Sequence, residues 1–308
     1  MNQFMNEPLV SIIIPTYNRS WSINRAIDSC LTQTYQNFEI VITDDGSSDD
    51  TVTKIFEYKN DKIKYFKFKK NLGVIKARNN SIINSKGDWI LLFDSDDELN
   101  PNCLEVFVKN INLIKEDRVK MIFAHFKNSM TSKTKISKQF QKKINQNNIL
   151  KYHDFICNGF AIGDPLPIVK KEIFDKVPYD THVKRNMAVV WHQFFKISDV
   201  LVIDEYLGTC YTEGNDRITA NIGKDSLLWI DGLKEYINLF KKDILDSCPS
   251  KLSFHYKSLA IYQYQANEIK QSRQSFLKSI TYNPLDYKSW IYLLASFNKN
   301  LFQKLLDR

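Results

Sequence analysis

Trp89-Ile90-Leu91-Leu92-Phe93-Asp94-Ser95-Asp96-Asp97 decides the fold of this chain. An uncharged, strand-length apolar run leads directly into a cluster of carboxylates. Open α/β sheets present their ligand groups in this way, because ligands bind beyond the carboxyl ends of parallel strands. Asp94-Ser95-Asp96 also sets two hard oxygen donors one residue apart. That spacing suits Mn2+ or Mg2+, which take few carboxylates and complete their shell with phosphate oxygens and water.

Working outward, the same arrangement recurs. Leu9-Val10-Ser11-Ile12-Ile13-Ile14 ends at Pro15 and is followed by Thr16-Tyr17-Asn18-Arg19. Phe38-Glu39-Ile40-Val41-Ile42 ends at the turn cluster Asp44-Asp45-Gly46-Ser47-Ser48. Both runs read as buried strands. Between and after them the pattern turns helical. Ala26, Ile27, Cys30 and Leu31 recur at helical spacing, and Asp49 or Asp50 caps a helix through Val52, Ile55 and Phe56. Ile63 to Phe66 reads as a third strand, and Val74 to Asn84 as a helix. Beyond the carboxylates a helix opens near Pro101 and runs towards Lys115, and Met121 to Ala124 reads as another strand. This alternation predicts a doubly wound, mostly parallel α/β sheet with right-handed crossovers. It gathers three polar clusters at one sheet edge.

The 308 residues are 43% hydrophobic and carry a formal net charge of +8. No apolar run approaches the roughly 18 residues of a membrane span, and the first residues lack the basic and apolar segments of a secretory signal. A cytoplasmic protein is expected. The five cysteines are scattered without a CxxC pair, which predicts reduced thiols rather than a disulfide framework or a zinc site. Arg118 to His153 holds nine Lys/Arg and no acidic residue, a surface suited to anionic lipid or phosphate-bearing acceptors. No nucleic-acid-binding motif accompanies it, so no nucleic-acid partner is expected.

Thr131 to Asn148 reads as a long polar loop or flap, and Met187 to Ile197 as an amphipathic helix. From Leu227 onward the pattern is helical. Tyr256 to Asn283 is similar to one tetratricopeptide repeat, with Ala260, Phe276, Ser279 and Pro284 at its small, aromatic and terminal positions. One repeat cannot stand alone, so a packed helical tail is expected. Its last apolar residues, Trp290, Leu293, Leu294, Phe297, Leu301 and Leu305, are expected to pack in a core rather than meet a membrane or partner.

Five stretches together carry a family resemblance: Val10 to Arg19, Asp44 to Thr51, Asn71-Leu72-Gly73 with Ala77-Arg78-Asn79, Lys86-Gly87-Asp88-Trp89, and Asp94 to Asp97 with Pro101. In this order they resemble the family 2 glycosyltransferases of bacterial surface-glycan assembly. The resemblance covers about Pro8 to Leu104. It implies a GT-A fold at 1–222, with a nucleotide-sugar-binding part about 8–120 and an acceptor part about 121–222, followed by a helical C-terminal extension at 223–308. It implies an inverting, metal-dependent transfer of sugar from a nucleotide diphosphate, typically UDP, to a glycan or lipid-linked acceptor in surface polysaccharide or lipopolysaccharide biosynthesis. Peripheral work at the inner face of the cytoplasmic membrane fits that role.

Carried over by residue, the resemblance places Thr16, Tyr17, Asn18, Asp44, Asp45, Arg78, Asp94 and Ser95 around the donor. Thr16 and Tyr17 line the nucleoside pocket, Asp45 accepts from the base, and Arg78 lies near the base or diphosphate. Asp96, with Asp94, holds Mn2+ or Mg2+. The acidic pair that relatives carry before an aromatic residue is replaced by Val189-Val190, ahead of Trp191. This leaves His192 and Asp180 as candidate bases, with Asp164 a further one, and leaves open a catalytically degenerate protein that binds nucleotide sugar or glycan as a partner subunit. A sugar nucleotidyltransferase is disfavoured, because Pro15 to Ser20 contains no glycine to cradle phosphate.

Overall fold

The computed structural model describes residues 7–129, 148–158, 165–177, 187–211 and 226–306. Asp164, Asp180 and all of the expected flap except Asn148 lie outside them.

The described residues fall into two compact units. The first contains a nine-stranded sheet. Its strands are β1 (Val10–Thr16), β2 (Phe38–Asp44), β3 (Ile63–Lys67), β4 (Trp89–Leu92), β5 (Glu98–Leu99), β6 (Val119–Asn128), β7 (Ile149–Leu150), β8 (Pro165–Lys170) and β9 (Asp199–Cys210). They lie in the order β3-β2-β1-β4-β8-β6-β9-β5, with β7 paired to β9. β1 to β4, β6 and β9 run one way, and β5, β7 and β8 run against them. The fold is therefore α/β with a mostly parallel central sheet.

The central strands are continuous apolar runs because helices cover both faces. Val10, Ile12, Ile14, Ile40, Ile42, Leu91 and Phe93 share one core with Ile23, Ala26, Ile27 and Cys30 of α1 (Ile23–Leu31) and with Leu104, Phe107 and Val108 of α4 (Cys103–Leu113). The alternate residues Ile13, Val41 and Ile90 are fully buried without belonging to that cluster, as strand periodicity requires. α2 (Thr51–Glu57) follows β2, and α3 (Val74–Asn84) packs on β1 and β2. β4 is threaded closely beside β1 at Gly87, where a Cβ would lie 2.5 Å from Ser11 Oγ and 2.7 Å from Leu9 O.

Three further helices follow: α5 (Tyr152–Asn158), α6 (Glu172–Lys176) and α7 (Met187–Ile197). The second unit is mainly α8 (Ser226–Ser247), α9 (Ser250–Gln265), α10 (Ile269–Tyr282), α11 (Tyr287–Ala295) and α12 (Lys299–Leu306). Ala260, Phe276, Ala295 and Phe302 form its separate core. Small residues let the helices approach: Ser279 Oγ donates to Ser253 O at 2.7 Å, and Ser272 Oγ to Ala260 O at 2.7 Å.

Two expectations are corrected. Leu293 and Leu305 pack against this core, but Trp290, Leu294, Phe297 and Leu301 do not; they are exposed. One helix face cannot seat every apolar residue of a segment whose apolar side chains lie on more than one side. Cys157 and Cys248 form a disulfide across 91 residues of sequence, a pairing that no local spacing signals. Cys30 and Cys103 are free and buried, and burial raises both thiols well above the usual range.

Candidate functional site

Parallel register carries the polar clusters to one edge. Thr16 pairs with Asp44, Ile13 with Leu92, and Phe93 N donates to Ile13 O at 3.2 Å. The chain after each of β1, β2 and β4 therefore leaves the sheet at the same end.

The loops there are bonded to one another. Asn18 has φ +49°, its N–H donates to Ser47 Oγ at 2.9 Å, and its Oδ1 accepts from Ser48 N at 3.0 Å. Arg19 N donates to Thr51 Oγ1 at 2.8 Å and Ser20 N to Asp49 Oδ2 at 3.0 Å. Asp49 Oδ1 accepts from Thr51 N at 3.1 Å just before α2, but the expected cap is not made: Asp50 stands at the N-cap without a side-chain capping bond. Gly46, at φ +81°, lies so close to the next loop that a Cβ would sit 2.8 Å from the Lys70 carbonyl carbon.

The expected donor residues separate by environment. Asp44 is fully buried; its oxygens accept from Ser47 N at 2.7 Å and Tyr65 Oη at 2.9 Å, with Lys67 Nζ at 3.7 Å. Asp45 accepts from Leu72 N at 2.6 Å and Gly73 N at 2.8 Å. Burial raises its carboxyl above the usual range; those two amides oppose the rise, and Asp44 adds to it. Both aspartates thus fix loops from inside. Thr16 is 3% exposed, and its Oγ1 makes no hydrogen bond among the described residues. Tyr17 presents its ring to solvent, 40% exposed.

The turn after β4 meets three arginines, two at its carboxylates and one at its backbone. Arg78 of α3 forms an ion pair with Asp94 Oδ1. Arg19 Nε lies 3.8 Å from Asp96 Oδ2. Arg25 of α1 donates through Nη2 to Asp96 O at 2.5 Å, and its guanidinium lies 3.7 Å from the Tyr211 ring centre. Ser95 is buried and its carbonyl accepts from Ser22 Oγ at 3.0 Å. Asp97 turns inward and accepts from Tyr211 N at 3.2 Å, while Tyr211 Oη donates to Glu98 Oε2 at 2.7 Å. Burial, then the charges of Asp94 and Asp96, push Asp97 up to about 8. Arg25 and Tyr211 were not legible as site residues: Arg25 sits in an ordinary amphipathic helix, and Tyr211 lies more than a hundred residues from the carboxylates it helps to frame.

Among the described residues no group of three or more His, Cys, Asp or Glu is arranged to hold a metal. The donor chemistry nonetheless fits a hard dication. Asp94 and Asp96 keep partly exposed side chains (48% and 22%), and Mg2+ or Mn2+ uses one or two carboxylates with phosphate oxygens and water.

Of the candidate bases, His192 is 3% exposed and stands edge-on to Phe195, ring centres 5.7 Å apart. Val189 and Val190 are buried at 0% and 1%. Asp180 lies outside the described residues. No helix among the described residues is long and apolar enough to cross a membrane.

Residues 11–164 match Glycosyl transferase family 2. The chain is 25% identical over 314 residues to the GalNAc(5)-diNAcBac-PP-undecaprenol beta-1,3-glucosyltransferase of Campylobacter jejuni, covering 97% of this chain and 96% of that protein. It is 33% identical over 176 residues to the UDP-Glc:alpha-D-GlcNAc-diphosphoundecaprenol beta-1,3-glucosyltransferase WfgD of Escherichia coli, covering 54% and 68%. In structure it is similar to TarS 1-349 of S. aureus in complex with UDP-GlcNAc, with TM-score 0.62 at 15% identity over 95% of this chain and 88% of that one. It is also similar to the mannosyltransferase PcManGT from Pyrobaculum calidifontis in complex with GDP-Man and Mn2+, with TM-score 0.57 at 14% identity over 97% and 89%. At these identities the structural likeness is one of fold. With half its length matched by the family and its strand order and carboxylate edge in place, the chain belongs to glycosyltransferase family 2 and has a GT-A-like fold.

Proposed function

We propose that the chain is an inverting, metal-dependent glycosyltransferase that moves a sugar, glucose in the first instance, from a UDP-sugar to a lipid-diphosphate-linked saccharide in surface polysaccharide or lipopolysaccharide assembly. The observation that carries this reading is the meeting of Asp94 and Asp96 with Arg19, Arg25 and Arg78 at the carboxyl ends of β1 and β4. Alternating cations and carboxylates suit a diphosphate that arrives with its own counter-ion. The relatives that act on undecaprenyl-diphosphate acceptors support the acceptor class.

Transfer breaks the bond between the anomeric carbon and the diphosphate, so negative charge grows on the leaving phosphate. Mn2+ or Mg2+ held by Asp96 and Asp94 would neutralise part of that charge. Arg78 and Arg19 supply fixed positive charge beside it. Arg25 holds the Asp96 backbone in place. Thr16 Oγ1 and the Tyr17 ring offer a hydroxyl and a flat face to the nucleoside, and Asn18, Asp44, Asp45 and Ser95 hold the loops that shape the donor pocket. A base must take the acceptor hydroxyl's proton; Asp180 and His192 are the proposed groups. The chain would act in the cytoplasm, at the inner face of the membrane.

The test is turnover of UDP-glucose with a lipid-diphosphate disaccharide, with and without Mn2+, for wild type, Asp96→Ala, Asp180→Asn and His192→Gln. Metal-dependent product lost in Asp96→Ala supports the reading. Absence of turnover with every nucleotide sugar, from protein whose melting temperature still rises with UDP, favours a second reading. In that reading the chain is a degenerate transferase that binds nucleotide sugar or glycan as a partner subunit. The burial of Val189 and Val190, where the family resemblance places acids, favours it.

A further inference from the structure

Helix α11 carries apolar side chains on both its inner and its outer side. Its inner side, with Tyr292, Leu293 and Ala295, packs on Phe276 and Phe302. Its outer side carries Tyr287, Trp290, Ile291 and Leu294, exposed by 65%, 45%, 44% and 68%. These positions follow the i, i+3, i+4, i+7 spacing of one helix face. Phe297, in the turn after α11, and Leu301 of α12 are exposed by 68% and 49%. An apolar helix face left exposed to water marks an interaction surface.

The surrounding charge selects the occupant. Residues 284–306 contain Lys288, Lys299 and Lys304 and a single carboxylate, Asp286. Asp286 is already engaged by Lys257 Nζ at 2.6 Å and Ser289 Oγ at 2.8 Å. Lys288 lies three residues before Ile291, and Lys304 three after Leu301, so each borders the apolar face. The Arg273 guanidinium caps the Phe297 ring at 3.8 Å. A second copy of this chain would set one cationic rim against another. A surface of anionic lipid headgroups is complementary to that rim, and Trp and Tyr beside aliphatic side chains are what such an interface accepts.

We propose that α11, the turn at Phe297 and α12 seat the protein on an anionic bilayer surface. Trp290, Leu294 and Phe297 enter the headgroup boundary, and Lys288, Lys299 and Lys304 meet lipid phosphates. The purpose of this seat, though not the surface itself, rests on the proposed lipid-linked acceptor, which is presented at that same surface.

The test is co-sedimentation of the full chain with vesicles of phosphatidylglycerol and phosphatidylethanolamine, and with phosphatidylcholine vesicles, without acceptor lipid. Wild type is expected to bind the anionic vesicles, with binding that weakens as salt rises. The double variant L294E/F297E is expected to bind at least about tenfold more weakly, with its melting temperature and its turnover of a detergent-soluble acceptor unchanged. Lys288→Gln with Lys299→Gln and Lys304→Gln is expected to remove the preference for anionic vesicles. Failure of folded wild type to bind either vesicle overturns the proposal. So does self-association of wild type that L294E/F297E abolishes while vesicle binding is unaffected. Vesicle binding without turnover of any donor would leave the seat standing and remove the transfer reading; turnover without vesicle binding would do the reverse.

Discussion

The guanidinium of Arg25 lies 3.7 Å from the ring centre of Tyr211 while its Nη2 donates to Asp96 O at 2.5 Å. One side chain from α1 thus joins the carboxylate turn after β4 to the end of β9. A lysine cannot hold both contacts, since it lacks the planar fork. Arg25→Lys is expected to lower kcat/KM by about ten- to hundredfold, or about 1.4–2.7 kcal/mol. Steady-state kinetics at saturating Mn2+ check this, with Tyr211→Phe as a milder companion that keeps the ring and loses the bond to Glu98.

Asp96→Asn tests the metal assignment without requiring the acceptor. A ligand that binds only the folded state raises the melting temperature by mass action. Wild type is expected to gain a UDP-induced rise that Mn2+ enlarges. Asp96→Asn is expected to keep the metal-free part and lose the enlargement, read by differential scanning fluorimetry.

Thr16→Val separates stability from binding. The hydroxyl of Thr16 is buried and makes no hydrogen bond among the described residues, and an unsatisfied buried polar group costs about 1–3 kcal/mol. The variant is expected to be at least as stable as wild type to urea and to bind UDP more weakly in isothermal titration. Weaker stability with unchanged binding would assign the hydroxyl to packing.

Glu39 gives the fold an acid-side dependence. Burial raises its carboxyl, but hydrogen bonds from Lys64, Ser11 and Lys86 N outweigh this and hold it below its ordinary value of 4.5. A carboxyl lowered in the folded state stabilises above that value, and the stabilisation is lost as pH falls through the lowered one. Urea unfolding between pH 6 and about pH 3 is expected to show a fall in stability that is shallower in Glu39→Gln, which is also less stable at pH 6.

Gly46→Ala is expected to destabilise by about 2 kcal/mol or more, since a left-handed φ costs an alanine about 1–2 kcal/mol and the Cβ would meet the Lys70 backbone. The measurement is the urea midpoint, with the m-value expected to be unchanged.

The sheet was legible because its central strands announce themselves: Ile12-Ile13-Ile14 and Trp89 to Phe93 are uncharged and end in polar turns. Val74–Asn84 and Met187–Ile197 fall where the helical pattern put them. β8 did not announce itself, because Pro165-Leu166-Pro167-Ile168 lacks a strand's regular pattern and takes its place by pairing antiparallel with β4 and β6. At the site, Asp94 and Asp96 could be named from spacing and Arg78 from the family resemblance, but Arg25 and Tyr211 could not. Arg25 reaches Asp96 across 71 residues, and Tyr211 reaches Asp97 across 114. Such contacts are set by tertiary packing, which no local pattern encodes.

The bonds that stitch Asn18 to Ser47 and Ser48, and Asp45 to Leu72 and Gly73, have a thermodynamic consequence. Three loops at the proposed donor edge are tied to one another by the chain's own hydrogen bonds. The conformational entropy usually surrendered on binding has therefore been surrendered during folding. Recognition at this edge becomes a matter of fit rather than induction, and selectivity among nucleotides is expected to appear chiefly in the rate of release.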